Sequence, residues 1–343
     1  MADRRRIAII GLGMAVTPHA RSLLDLRDRV EVAHAFSRSA ARQRAFAERF
    51  DFPLADDLDL IADDDSVTAV MILTPPNTHL ELVERFAAAG KHILLEKPLE
   101  RSTERAEGLV AAAEAAGVRL GVVFQHRFRE ASQALRSRLD EGVLGDLAAA
   151  NVICPWWRPQ SYYDEPGRGT LARDGGGVLI TQAIHTLDLM LSLTGPVAEV
   201  AAVAGTTGLH RIETEDFAGA GLRFANGALG ALLATTAAYP GFPERIELIG
   251  TKATAALFAG SLVLHHQDGR VERVGEEQAT GAGADPMAFP HDAHRALLTD
   301  FLDALDHGRS PHASGREALR VHHFIDAVLR SSELGRAVTL AAA

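Results

Sequence analysis

Cysteine is nearly absent: Cys154 is the only one in 343 residues. That excludes an internal disulfide and a cysteine-rich metal site, and it suits a reducing compartment such as the cytoplasm. Positive charge is also short. Lys and Arg number 35 against 45 Asp and Glu, a net charge of −10, which argues against a general nucleic-acid binder. Local basic sites for small anions remain open. No uninterrupted apolar run approaches the ~20 residues that a membrane helix needs. The start, MADRRRIAIIGLGMAV, has the basic head and short apolar run of a secretory signal. Its rival is a first β-strand entering a glycine turn, which cleavage would destroy. The histidine pairs His265/His266 and His291/His294 lack a third convincing ligand, so no metal site is expected.

Apolar residues make up 47%, ample for packed cores, and the length suggests two domains. Strand patterns at Ile7–Ile10, Val30–Ser37, Ala69–Leu73, His92–Leu95 and Leu120–Val123 alternate with helical patterns such as Ala40–Phe50, Leu80–Ala89 and Thr103–Ala116. That alternation predicts βαβ units and a doubly wound parallel sheet over residues 1–123. From Phe124 the pattern changes. Helices are expected at Glu130–Glu141 and near Val178–Leu193. Strands are expected at Leu147–Trp156, Val197–Val203, Asp216–Phe224, Ala228–Ala238, Glu244–Ile249, Ala253–Phe258 and Leu262–His265. Asn226-Gly227 marks a hairpin. A second, α+β domain with a mostly antiparallel open sheet is predicted over 124–343. Residues 275–286 read as a mobile loop. Helices at His291–His307 and Arg316–Ser332 close the chain, with a C-terminal helix expected to pack back on the first domain.

In the stretch IAIIGLGMAVTPHA, Gly11 and Gly13 follow a strand and precede a helix. The first glycine permits a tight turn, and the second lets backbone amides approach a pyrophosphate that the helix N-terminus favours. Met14 lies on the same turn. Val16 departs from the third position of the dinucleotide fingerprint, so packing there must differ. The second strand ends at Ser37 and Arg38, where an NAD site often carries an acid. A hydroxyl and a guanidinium suit a 2′-phosphate better than a bare diol, which favours NADP over NAD. After the third strand, Thr74, Pro75, Pro76 and Asn77 form a rigid turn at the carboxyl edge of the sheet, where ligands bind in open α/β folds. Asn77 or Thr78 is also suited to cap the next helix.

Two stretches carry the chemistry. HILLEKPLE (92–100) ends a buried strand on Glu96 and Lys97, an ammonium that is costly unless something polar meets it. DGGGVLITQAIHTLDLM (174–190) places Thr181, His185 and Asp188 at helical spacing after three glycines. With these motifs the chain resembles the GFO/IDH/MocA family, named for glucose–fructose oxidoreductase, inositol dehydrogenase and a rhizopine-catabolism protein. The likeness covers nearly the whole chain: the turn at 11–13 with His19, TPPNTH at 74–79, EKP at 96–98, GGG with His185 and Asp188, and the tail TDFLDALDHGRSP.

The resemblance implies a Rossmann domain, a sheet-based substrate domain, a nicotinamide cofactor, and a sugar, cyclitol or related diol as substrate. It implies that Lys97 lies beside the nicotinamide and the reacting oxygen, and that His185 is the acid/base; Asp188, one turn on, is placed either to orient the imidazole or to serve the helix structurally. Thr181 stands where many members carry aspartate, which excludes a lysine–aspartate–histidine triad. Cofactor contacts are expected from Gly11, Gly13, Met14, Ser37, Arg38, Thr74, Pro75, Asn77, His79, Glu96 and Lys97. Substrate contacts are expected from Lys97, Arg127, Tyr163, Arg168, Thr181, Gln182 and His185. The segment WWRPQSYYDEPGRGT is similar to relatives acting on sugar-nucleotide uronates, with Gly167 replacing a tryptophan; Arg158 and Arg168 could then pair with a carboxylate or a phosphate. A homodimer or tetramer joined through the open sheet is expected. The rival readings are a dihydrodiol dehydrogenase and a cofactor-binding sensor without turnover.

Overall fold

A computed structural model describes residues 4–283 and 289–340. It divides into two compact units, Met1–Val123 with His291–Leu319, and Phe124–Pro290 with Arg320–Ala343. Residues 291–319 therefore group with the first unit.

In the first unit β1 (Arg5–Ile10), β2 (Val30–Phe36), β3 (Val67–Ile72), β4 (His92–Leu95) and β5 (Leu120–Val122) form a five-stranded sheet in the order β2-β1-β3-β4-β5. The pairings are all parallel. Ile7 to Ile10 are all buried, as expected of a strand covered on both faces. The order reverses between β1 and β3, which makes their carboxyl ends the switch point where such folds bind ligands. Ser39, Asp57 and Ser102 cap the helices Ala40–Ala47, Leu58–Asp63 and Thr103–Ala115 by accepting from backbone N–H groups. The helix Leu58–Asp63 is too short to show a period, and the sequence reading missed it. The later helix Asp292–Asp306 buries Leu297, Leu298, Phe301 and Leu302. Gly121 explains part of that fit: a Cβ there would lie 3.0 Å from Phe301 Cδ2.

The second unit holds a nine-stranded sheet. Its strands are β6 (Leu147–Pro155), β7 (Val197–Gly205), β8 (Phe217–Phe224), β9 (Leu229–Thr235), β10 (Arg245–Gly250), β11 (Ala253–Phe258), β12 (Ser261–His266), β13 (Val271–Val274) and β14 (Val338–Thr339). The order is β13-β12-β11-β10-β6-β9-β8-β7-β14. Only β6 and β9 run parallel; the sheet is otherwise antiparallel. Gly227 at φ +88° makes the β8–β9 turn, with Phe224 N donating to Ala228 O at 2.9 Å. Helices Glu130–Asp140 and Ile184–Thr194 cover one face. The other face leaves Ile153, Val203, Leu229 and Ile249 exposed. β13 and β14 are short edge strands that periodicity did not reveal.

Three expectations change. The helix near Val178–Leu193 opens with a wide π-type turn, Leu179–Ala183, before the regular helix Ile184–Thr194. The stretch Leu171–Thr194 is long and apolar enough to cross a membrane by length and composition, contrary to the sequence reading, yet 89% of its window is buried inside the protein. It is a core helix of the second unit. In the expected mobile loop, residues 275–283 have no regular structure, but residues 281–283 are tethered. Arg158 donates to Gly281 O at 2.9 Å, to Ala282 O at 3.3 Å and to Gly283 O at 2.5 Å. Residues 284–286 of that loop lie outside the described residues.

Candidate active site

The glycine turn sits at the switch point. Gly11 has φ +102°, and a Cβ on it would lie 2.7 Å from both C and O of Leu73. Only glycine lets β1 leave so close to the end of β3. Gly13 and the exposed Met14 follow. The helix Val16–Asp25 then starts with no side-chain cap and no acidic residue in its first turn. Its first N–H groups are thus suited to an anion. Val16, the departure from the fingerprint, is buried at 3% exposure. The residues present fit a dinucleotide cofactor.

Ser37 is half-buried and Arg38 exposed. The sequence reading missed Arg42: its Nη1 lies 3.9 Å from where a Gly13 Cβ would be, so a second guanidinium stands over the glycine turn. The signal was its place in the first turn of the helix that Ser39 caps.

At the ends of β3 and β4 the structure separates exposed groups from supports. Thr74 is half-buried, and Pro75 and Asn77 are exposed. Neither Asn77 nor Thr78 caps the next helix; the Thr78 hydroxyl donates back to Pro75 O at 2.9 Å. His79, expected among the cofactor contacts, is fully buried. Its Nδ1 faces Pro98 O at 3.0 Å and Leu99 O at 3.1 Å, and its Nε2 faces Thr74 O at 2.8 Å. It therefore ties the two turns together. Burial pushes the His79 pKa down, against the pull of those carbonyls and of Glu96.

Glu96 is likewise a support. Its Oε1 accepts from His19 Nε2 at 2.9 Å, and its Oε2 accepts from the Lys97 backbone N–H at 3.1 Å. Burial alone would raise its pKa, but the hydrogen bond from His19 and the charges of His19, Lys97 and His294 hold it below the ordinary value. The turn carrying the half-buried Lys97 is thus fixed from beneath by Glu96 and His79.

In the second unit Gly177, the last of the three glycines, makes room for Glu215. A Cβ on Gly177 would lie 1.8 Å from Glu215 O. Val178 N donates to that same oxygen at 2.8 Å. The Glu215 carboxylate accepts from Gly177 N at 2.9 Å and from Leu179 N at 3.1 Å. Burial raises the pKa of Glu215, although these backbone bonds oppose it. This clamp sets the start of the segment that carries Thr181, Gln182 and His185. Thr181 donates to Gly177 O at 2.6 Å and also meets Gln182 Oε1. His185 is 8% exposed, with the His126 ring 5.0 Å away at 29° and the Phe124 ring 6.1 Å away at 87°.

Other expected site residues have partners within the second unit. Asp188 holds Arg127 in a fork, Arg127 Nε to Oδ2 and Nη2 to Oδ1, both at 2.6 Å. Its oxygens thus serve Arg127, and Arg127 reaches the site already paired. Arg158 is spent on backbone carbonyls. Arg168 pairs with Glu165 and lies 4.2 Å over the Tyr162 ring. Tyr163 shares a hydrogen bond with Thr236 at 2.7 Å, and burial pushes its pKa up to about 12. Among the described residues no group of three or more His, Cys, Asp or Glu could hold a metal ion.

A parallel sheet with a glycine turn at its switch point, followed by an open helix N-terminus, defines a dinucleotide-binding protein. Residues 5–124 match the model of the oxidoreductase family with an NAD-binding Rossmann fold, and residues 132–256 match the GFO/IDH/MocA C-terminal domain. The chain belongs to the GFO/IDH/MocA family and is a nicotinamide-dependent oxidoreductase. It is 28% identical to inositol 2-dehydrogenase of Rhizobium meliloti (strain 1021) over 98% of this chain and 99% of that one. It is 27% identical to the NADP(+) scyllo-inositol 2-dehydrogenase of Bacillus subtilis (strain 168), over 57% of this chain and 55% of that one. Among solved structures, the WlbA dehydrogenase of Bordetella pertussis in complex with NADH and UDP-GlcNAcA superposes with a TM-score of 0.84. Identity there is 27%, covering 99% of each chain.

Proposed function

We propose that the protein transfers hydride between a nicotinamide cofactor, NADP(H) in preference to NAD(H), and a sugar or cyclic polyol, interconverting CH–OH and C=O. The observation that carries this reading is the turn of Lys97, whose backbone is fixed by the half-buried Glu96 and the buried His79. A surface turn would need no such support. When bound, the nicotinamide accepts or supplies the hydride. Lys97 hydrogen-bonds the reacting oxygen and favours its alkoxide character. The His185 imidazole takes the hydroxyl proton in oxidation and returns it in reduction. Thr181 cannot share that proton near neutral pH, so His185 carries the acid/base work with less help.

Ser37, Arg38 and Arg42 recognise the 2′-phosphate. Because Arg158 and Arg168 already have partners, a neutral polyol is favoured over an acidic sugar. The apolar open face of the second sheet joins two copies into a dimer or a tetramer of dimers, and the chain works in the cytoplasm.

A panel of polyols and sugars, followed at 340 nm with both cofactors, tests the reading. Turnover should be faster with NADP(H). Lys97→Ala should raise the barrier by roughly 2.7–4 kcal/mol, and His185→Ala should slow turnover roughly 10²–10⁴-fold, with cofactor affinity kept. Near-normal turnover in either variant would overturn the mechanism, and a preference for NADH would overturn the cofactor assignment.

A further inference from the structure

His126 lies on the turn Gln125–Phe128 and is 3% exposed. Its ring packs nearly parallel to the His185 ring, with centroids 5.0 Å apart and planes 29° apart. The next group outward is Arg129, whose Nη2 lies 2.7 Å from His126 Nε2. A guanidinium can only donate. His126 Nε2 must therefore accept, which leaves the ring neutral with its proton on Nδ1. Arg129 is itself held at Nη1 by Glu244 Oε1 at 2.5 Å; the Glu244 side chain is 6% exposed and that of Arg129 21%.

We propose that His126 is a positioning residue for His185, and that Arg129, held by Glu244, keeps it in one neutral tautomer. The proposal rests on the reading of His185 as the acid/base. A flat ring at stacking distance removes rotamer freedom from the His185 imidazole, so that its nitrogens address the substrate oxygen in one orientation. A histidine left to titrate near its usual pKa, about 6.5, would place a second cation against His185 and oppose its protonation. The bond from Arg129 removes that competitor.

Two ion pairs of this unit flank His126 and His185. Arg127 and Asp188 neutralise each other from the turn and from His185's own helix. Arg129 and Glu244 do so from the head of the next helix and the approach to β10. Thr181 and Gln182, on the preceding π-type turn, are neutral.

The test compares His126→Ala and His126→Phe by steady-state kinetics on the full-length enzyme, beside His185→Ala. His126→Ala should lose on the order of 10–10² in kcat, the scale of a misplaced catalytic group, with KM and cofactor Kd nearly unchanged. His126→Phe restores the flat ring and should recover most of kcat, even though Arg129 loses its acceptor and thermal stability falls. Long-range ¹H–¹⁵N spectra of histidine-labelled enzyme give a readout independent of turnover. His126 should show the Nδ1–H tautomer without titrating from about pH 5.5 to 8.5, and Arg129→Met should make it titrate.

Full kcat in His126→Ala while His185→Ala is inactive would overturn the proposal. So would a titrating His126 in the wild-type protein, or a His126→Phe variant as slow as His126→Ala. Should His126→Ala fail to fold, the spectra and the turnover of His126→Phe relative to wild type decide. Near-normal turnover in His185→Ala would instead refute the acid/base reading, and the role given to His126 with it.

Discussion

Removing Asp188 should separate the two roles open to Arg127. In the structure its guanidinium and the Asp188 carboxylate share two bonds of 2.6 Å, with side chains 12% and 1% exposed. Two charge-assisted bonds are worth roughly 1.5–3 kcal/mol each at most. Breaking a buried pair by deleting one partner costs about 3–5 kcal/mol, because the other charge is left without compensation. The residual exposure of Arg127 lets some water reach it, so Asp188→Ala should cost about 3 kcal/mol, near the lower end. With a urea slope near 3 kcal/mol per molar, that moves the unfolding midpoint by roughly 1 M. If the two units unfold in separate transitions, the loss belongs to that of the second. Replacing both residues together, Arg127→Met with Asp188→Leu, should recover most of the stability. A cost below about 1 kcal/mol for Asp188→Ala, with a raised KM, would refute this reasoning and return Arg127 to the substrate.

Two further perturbations act on the supports. Gly177→Ala puts a methyl where only 1.8 Å separates it from Glu215 O; it should cost at least about 1–3 kcal/mol and lower kcat more than cofactor affinity, whereas Gly205→Ala, with open space around its Cβ, should do neither. Glu96 has a folded pKa below its ordinary 4.5, so its stabilising contribution is present above about pH 4.5 and is lost as pH falls through the lower folded value. Urea midpoints of wild type and Glu96→Gln should therefore converge on acidification from pH 6 toward 3, and a constant gap would show that Glu96 is not ionised in the fold.

What the sequence disclosed follows the physics of each segment. β4 was read as His92–Leu95 and observed so, because a strand buried on both faces is a plain apolar run bounded by charge. Asn226-Gly227 announced its hairpin for an equally local reason. The helix Leu58–Asp63 spans six residues and shows no period. The π-type turn before His185 follows a segment bonded to Glu215, a partner 38 residues from Gly177, and no local pattern reports it.

The site followed the same division. Motifs pointed to Lys97 and His185 but could not tell contact from support. His79 and Glu96 look like ligands in sequence and lie beneath the turn in space. Arg158 and Arg168 look like carboxylate receptors, but their partners are set by loops distant in sequence or by an adjacent ring. Arg42 was missed because its approach to Gly13 depends on how the second helix lies across the first turn.

The return of residues 291–319 to the first unit has a consequence for synthesis. β5, the edge of the parallel sheet, receives its last backbone bond from the far end of the chain, Val122 N to Ala313 O at 2.8 Å, and Phe301 covers Gly121. Those residues leave the ribosome only after roughly 170 others have been added, on the order of ten to thirty seconds at ~5–20 residues per second. Throughout that interval the nascent N-terminal sheet carries an open apolar flank, while the whole strand-rich middle of the polypeptide emerges beside it. A gene fragment ending at Val123 would keep that flank permanently. Splitting the protein for expression of its nucleotide-binding part therefore requires joining Val123 to the 291–319 segment by a linker, not cutting between them.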